Sequence, residues 1–393
     1  MRAIREPGTA LLLLSLFLAA CGGGADRSGS SSPTWTLTGP EVRIGSVDDP
    51  DYAFGQVLRL ALGPDGTLYS VHVSEGAVRK WSPDGHPAGT LGRKGEGPGE
   101  FSQPTSLGFW GDTLWVMDGM GMRLTEFASD GTLLGTVNPN LTPGKADLNR
   151  GFPRPMRPLR DGHWYGTIVR AASLAGESRP RAHLVMESDG TVLDTVWVEA
   201  TEPRDNMTAG SGGMVIAMPQ PFSDQPKSVV LDDGSLVVVD FRVPDEPQGA
   251  TYSATKLAAS GDTLWHTVLP YTPTPLPRES PDSAFDAMTA RFPPALQDMK
   301  KGLRDKLHFP PYVPVVKDVQ VAEDGSVWIH QAEAVDGGDV WQILDRGGEP
   351  VARAVVPTGL RILLVHGDEV WGVERDDLDV NYIVRYRVNR EVS

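Results

Sequence analysis

Apolar and polar positions alternate along this chain in short runs, and each run stops at a polar turn. The stretch LRLALGPDGTLYSVH, Leu58 to His72, shows the pattern: alternation, a Pro-Asp-Gly turn, alternation again. Period-two alternation predicts a strand with one buried face. An Asp-Gly pair provides the residue tolerant of positive φ that a tight hairpin needs. The unit recurs as PDGTLY (Pro64 to Tyr69), WGDTLW (Trp110 to Trp115), RDGHWY (Arg160 to Tyr165) and DDGSLV (Asp232 to Val237). EDGSVW (Glu323 to Trp328) and HGDEVW (His366 to Trp371) bring the copies to six.

A second hairpin follows in most copies. RKWSPDGHPAGTL (from Arg79) and TEFASDGTLLGTV (from Thr125) stand 46 residues apart, and HLVMESDGTVLDTV, TKLAASGDTLWHTV and QILDRGGEPVARAV are later versions. Each repeat therefore predicts four short strands, and a period in the forties with four strands per repeat is that of a propeller blade. One position after the first turn keeps its phase: Tyr69, Trp115, Tyr165, Trp328 and Trp371, with Val237 as the exception. Rings at a constant phase predict packing between neighbouring blades. The expected fold is an all-β, six-bladed β-propeller over residues 34–393. Its last unit runs into DVNYIVRYRV (Asp379 to Val388) and lacks an outermost strand, while TWTLTGPEVRIG (Thr34 to Gly45) is a strand without a unit. Pairing these N- and C-terminal strands closes the ring and removes both open edges.

Two spacers break the rhythm. Residues 270–313 predict a small helical insert between blades 4 and 5. Ser280-Pro281-Asp282 reads as a helix start, with Ala284, Ala287, Met288 and Arg291 on one face. A second helix follows Pro294, with Leu296, Met299, Leu303 and Leu307 on one side, and the insert is expected to pack on one mouth of the ring. The other spacer, Thr201 to Pro219, contains TAGSGGM and predicts a mobile loop.

The N-terminus changes the picture from a soluble body to a tethered one. Arg2 and Arg5 precede an apolar run, Leu11 to Ala20, too short to span a bilayer and of signal-peptide length. It ends at Leu-Ala-Ala-Cys, which resembles the bacterial lipobox, so residues 1–20 are expected to be cleaved and Cys21 lipidated. Cys21 is the only cysteine, leaving no intrachain disulfide. Residues 21–33 form a Gly/Ser-rich tether. The expected location is the bacterial cell envelope, lipid-anchored on the periplasmic side of the outer membrane or at the cell surface. The formal charge of −15 becomes −16 once Arg2, Arg5 and Glu6 leave with the signal, which argues against nucleic acid as a partner.

With the repeats laid out, GRKGEGPGEFSQP (Gly92 to Pro104) resembles the connector of NHL-repeat-like six-bladed propellers of bacterial lipoproteins. PQPFSDQP (Pro219 to Pro226) is a degenerate second copy, and Arg123 matches part of the family's Asn-Arg pair after the second strand, whereas Ala77 and Tyr382 do not. The resemblance implies a fold; the family includes ligand-binding scaffolds, protein-interaction modules, lyases and hydrolases, so it does not choose a function.

Two sets of residues carry candidate chemistry. Three positions past the phased aromatic stand His72, Asp118, Ile168, Asp240, Gln331 and Glu374. These read either as a polar ring around a mouth, suited to calcium or another hard cation, or as caps on the turns leading to the third strands. Six positions before each Asp/Gly pair stand Arg59, Thr105, Pro155, Lys227, Asp318 and Arg361, with Arg157 and Lys317 close in register. Innermost strands line a propeller channel, so Arg59, Arg157, Lys227, Lys317 and Arg361 read either as partners of carboxylates such as Asp318 and Asp224 or as a channel site for a small anion. The eight histidines are scattered and no Gly-x-Ser-x-Gly elbow occurs, so no catalytic residue or metal centre is nominated. The reading is a lipid-anchored scaffold for envelope proteins or a small anionic ligand, with no cofactor. The alternative is a metal-dependent hydrolase or lyase with its site at the channel mouth.

Overall fold

The computed structural model describes residues 33–119, 122–139, 152–169, 181–200, 205–211, 214–244, 246–290 and 292–390. Cys21 and the expected signal and tether lie outside them, apart from Pro33. The described chain opens with β1 (Thr34–Ile44) and continues through four four-stranded meanders. The first is β2 (Val57–Leu62), β3 (Leu68–His72), β4 (Ala77–Trp81) and β5 (Pro87–Leu91). The second is β6 (Pro104–Trp110), β7 (Thr113–Asp118), β8 (Arg123–Phe127) and β9 (Leu133–Val137). A third comprises β10 (Phe152–Pro158), β11 (Trp164–Val169), β12 (Arg181–Met186) and β13 (Val192–Glu199). After a two-stranded hairpin, β14 (Asn206–Ser211) and β15 (Met214–Pro219), comes a fourth: β16 (Lys227–Val230), β17 (Leu236–Asp240), β18 (Thr251–Leu257) and β19 (Thr263–Pro270). Two helices, α1 (Ser280–Thr289) and α2 (Pro294–Arg304), follow.

The remaining strands form one eight-stranded sheet. It contains β20 (Val316–Val321), β21 (Val327–Val335), β22 (Gly338–Leu344), β23 (Pro350–Val356), β24 (Arg361–His366), β25 (Glu369–Arg375) and β26 (Asn381–Asn389), in the order β20-β21-β22-β23-β1-β26-β25-β24. β1 pairs antiparallel with β26 from Thr36↔Asn389 to Ile44↔Ile383, with an irregularity between Thr38 and Val42. It pairs parallel with β23 over only three residues, Thr34 to Thr36. The two chain ends therefore share a sheet, as their alternation predicts.

The hairpin turns are built by their Asp-Gly pairs. Gly66 and Gly234 both sit at φ 79°. The Asp65 carboxylate accepts the Thr67 N–H at 3.0 Å, and Asp161, Asp233 and Asp324 accept the N–H two residues on in the same way.

The core lies between sheets rather than within any one. Tyr69, Trp115, Tyr165, Val237, Trp328 and Trp371, the six phased positions, are each at most 6% exposed, and each falls in a different apolar cluster. One cluster joins β2–β5 to β6–β9, the next joins β6–β9 to β10–β13, and so on until the β24–β26 half meets β2–β5 through Val42, Trp371, Leu60 and Trp81. Such a closed circuit of inter-sheet cores around first strands is an all-β propeller. Among the described residues no helix is long and apolar enough to cross a membrane.

The spacers are corrected in part. Within Thr201 to Pro219, expected as a mobile loop, Asn206–Ser211 and Met214–Pro219 are the paired strands β14 and β15; residues 201–204 and 212–213 lie outside the described residues. The alternation of β14 puts Met207 and Ala209 on one face, where they pack with Phe285, Met299 and Leu303 of the helices. The glycines of TAGSGGM hid a period-two pattern that begins one residue before them. Helix α2 uses the expected Leu296, Met299 and Leu303 side, with Leu307 beyond it. Helix α1 does not use Ala284, Ala287 and Met288: Pro281, Phe285 and Thr289 are buried instead, because Phe285 offers the largest apolar surface and i, i+4 neighbours follow it. Ser280 lies inside the helix, and the residue before it, Glu279, makes no side-chain cap.

Candidate functional site

The first strand of each set, β2, β6, β10, β16, β20 and β24, contributes to a cavity of about 1060 Å³. The hairpin turns that the sequence repeats border it: Gly63, Pro64 and Gly66, Gly111, Asp232 and Asp233, Glu323, and His366. This is the channel at its turn end. Charges here are neutralised. Arg157 ion-pairs with Asp232, donates to the Val230 carbonyl at 2.9 Å and lies 5.4 Å over the Trp115 ring. Arg385 sits 5.3 Å over Trp371 between Glu41 and Glu369, at 3.3 and 3.4 Å. His366 Nδ1 lies 2.6 Å from Glu323.

The opposite end, where the first strands begin, is different. Burial lowers the pKa of Arg157, Asp232 opposes that, and Arg59 lowers it further by repulsion. Arg361 is lowered by desolvation and then by Arg59, with Asp318 acting the other way. Arg59, on β2, is exposed. No hydrogen bond or ion pair holds the Arg59 side chain among the described residues, whereas Arg361 donates to the Val57 carbonyl. Lys227 opens β16, half-buried, also without a side-chain partner among the described residues.

Two expected members fall elsewhere. Lys317 is the extra residue of a bulge between Val316 and Asp318, and its Nζ lies 3.4 Å from Asp339 of β22. Arg157 belongs to the neutralised end, its partner being Asp232 of the next sheet's turn rather than Asp318 or Asp224. Asp318 accepts the Val319 N–H and the Gln320 amide, and Asp224 pairs with Arg242 at 3.3 Å and accepts the Val243 N–H.

The positions at the ends of the second strands are not assembled into one ring of ligands. Asp118, fully buried, accepts the N–H groups of Ser102 and Gln103 at 2.6 and 3.0 Å, which fixes the entry to β6. His72 bonds Ser70, whose hydroxyl also accepts from Trp81, and burial pushes its pKa down to about 3. Gln331 donates to the Tyr252 hydroxyl at 3.0 Å. Glu374 takes Arg43 at 2.8 Å and the Tyr386 hydroxyl. Asp240 is exposed. Among the described residues no three His, Cys, Asp or Glu side chains gather where a metal ion could be held.

The connector Gly92 to Pro104 shows what that motif does. Phe101 is fully buried in the cluster between the first two sheets, and a Cβ on Gly92 (φ 72°) would stand 2.4 Å from its ring. Glu100 accepts the Gly97 N–H at 3.0 Å, and Arg123 donates to the Glu96 and Glu100 carbonyls. Arg79 and Arg242 repeat that role in other sheets, donating to the carbonyls of Asp51 and Ala200. Neither was nominated from sequence, although each lies in or just beyond a strand next to a connector.

No protein-family model matches the chain, and no curated protein resembles it in sequence. Solved structures do resemble it. A member of the DUF4221 family from Bacteroides vulgatus is 10% identical, with a TM-score of 0.49 over 92% of this chain and 99% of that one. Virginiamycin B lyase from Staphylococcus aureus is 10% identical, TM-score 0.40, over 89% and 99%. A calcium-binding regucalcin from Agrobacterium tumefaciens is 12% identical, TM-score 0.39, over 91% and 97%.

Proposed function

We propose that this chain is a lipid-anchored, six-bladed β-propeller of the bacterial cell envelope that works as a binding scaffold and holds a small anionic ligand in its channel. The count of six rests on reading the eight-stranded sheet as two blades, β20–β23 and β24–β26 with β1, that share a parallel register of three residues. Six inter-sheet clusters support it, one for each phased position. The connector at Gly92 to Pro104 supports the NHL-like reading, and the Leu-Ala-Ala-Cys run ending at Cys21 supports the anchor.

The reading is supported by three cations on first strands, Arg59, Lys227 and Arg361, that have no carboxylate partner among the described residues, in a protein of net charge −15; Arg361 bonds only the Val57 carbonyl. Like charges without carboxylate partners favour an anion that joins them. Thermal-shift titration of the purified protein with acetate, succinate, citrate and inorganic phosphate tests this. At least one anion should raise the Tm saturably, and Arg59→Ala with Arg361→Ala should remove that rise. No stabilising anion, or an undiminished shift in the double variant, overturns the channel site. Labelled palmitate should enter the wild-type chain and not Cys21→Ala; equal labelling overturns the anchor.

A further inference from the structure

We infer that a second cavity, walled by the stems of the helical insert, binds a neutral polyhydroxylated molecule of mono- to disaccharide size. The cavity measures about 530 Å³, within the ~300–1,000 Å³ usual for small-molecule sites. It lies between the fourth meander and β20–β23, and none of the channel arginines lines it.

The insert makes this cavity. Chain leaving β19 and chain returning to β20 are joined by hydrogen bonds, Val313 N–H to the Thr274 carbonyl at 2.8 Å and Leu276 N–H to the Pro311 carbonyl at 3.1 Å. The stems thus form a fixed wall rather than a loose loop, and Tyr271, Thr272 and Thr274 line it. The Tyr271 hydroxyl is buried without a hydrogen-bond partner among the described residues.

The floor is polar and half-committed. Gln331 spends its amide nitrogen on Tyr252 at 3.0 Å. Gln342 directs its own to the Ala352 and Ile343 carbonyls at 3.0 and 3.2 Å. Both side-chain carbonyl oxygens are left without a partner among the described residues, as acceptors at the cavity. Arg353 and Glu333, the only charged residues lining it among the described residues, pair with each other at 2.6 Å.

This selects the ligand class. Arg353 and Glu333 already offset one another, so the lining offers no unpaired charge to an ionic ligand. A hydroxyl both donates and accepts, which suits free amide carbonyls on one side and threonine hydroxyls on the other. Buried polar groups that lack partners favour a molecule that supplies them.

Calorimetric titration of the purified full chain in detergent with glucose, galactose, N-acetylglucosamine, maltose and trehalose tests the inference, with glycine, glutamate and citrate as contrasts. At least one sugar should bind saturably. Gln342→Leu and Thr274→Val should each weaken it about tenfold, equivalent to ~1.4 kcal/mol, while Arg59→Ala leaves it unchanged. Should Gln342→Leu fail to fold, Thr274→Val, exposed at the rim, decides alone. Absence of binding by all five sugars, sugar binding insensitive to Thr274→Val, or binding of the amino acids in their place overturns it. Loss of citrate binding in the Arg59 variant with sugar binding intact separates this site from the channel.

Discussion

The two ends of the channel are built from the same six strands and treat charge in opposite ways. At the turn end each cation has a carboxylate, and Arg157 and Arg385 also lie over Trp115 and Trp371. At the other end Arg59 and Lys227 have no side-chain partner among the described residues, and Arg361 bonds only the Val57 carbonyl. The turn end gets its carboxylates from the turns themselves: Asp232, Glu323 and Glu369 flank or sit in hairpins that every repeat must have. Charges there serve cohesion. The other end has no repeated acidic position among its innermost-strand starts, and its cations lack the carboxylates that the turns supply.

The largest test of this contrast is Trp115→Ala, which removes both the inter-sheet ring and the platform under Arg157. It should destabilise the fold by about 3–5 kcal/mol in denaturant unfolding. A loss below ~1 kcal/mol would mean the turn end is not held this way. Second comes acid. His72, at the far end and paired across strands with Val57, is held neutral by burial down to about pH 3. The unfolded chain takes up that proton below about pH 6.5, so stability should fall as pH drops from 6.5 toward 3, by roughly 2 kcal/mol at pH 5. His72→Gln should flatten this slope, and an unchanged slope would refute the assignment. Third, Asp232→Ala leaves Arg157 without its carboxylate and should lower stability by about 1–2 kcal/mol. Smallest is Arg59→Ala, expected to stay within ~0.5 kcal/mol of wild type or gain slightly, since it relieves repulsion. A loss as large as that of Asp232→Ala would erase the difference between the ends.

The repeat architecture was legible because each unit carries its own local chemistry. An Asp-Gly turn and a ring at fixed phase need no knowledge of the rest of the chain, and all six phased residues are buried where that reading requires. The closing pair, β1 with β26, was legible by elimination, as each strand lacked a mate. The charge pattern was only partly so. Counting back from the turns found Arg59 and Arg361, but a bulge moves Lys317 toward Asp339, and bulges leave no mark in spacing. Arg157 has its partner 75 residues on, in the next sheet's turn. The cavity under the insert was invisible for the same reason: Thr274, Gln331, Gln342 and Arg353 come from four separate segments, and nothing local ties an amide on β21 to a threonine in a stem.

The order of synthesis gives the shared sheet of β1 and β26 a further consequence. Thr36 leaves the ribosome long before Asn389, its eventual neighbour in the ladder, exists. The earliest strand therefore waits for the final one, and until it arrives the chain exposes an unsatisfied backbone edge. Contacts this distant in sequence slow maturation and invite off-pathway association, so the chain should depend on a holding chaperone until its last strand pairs.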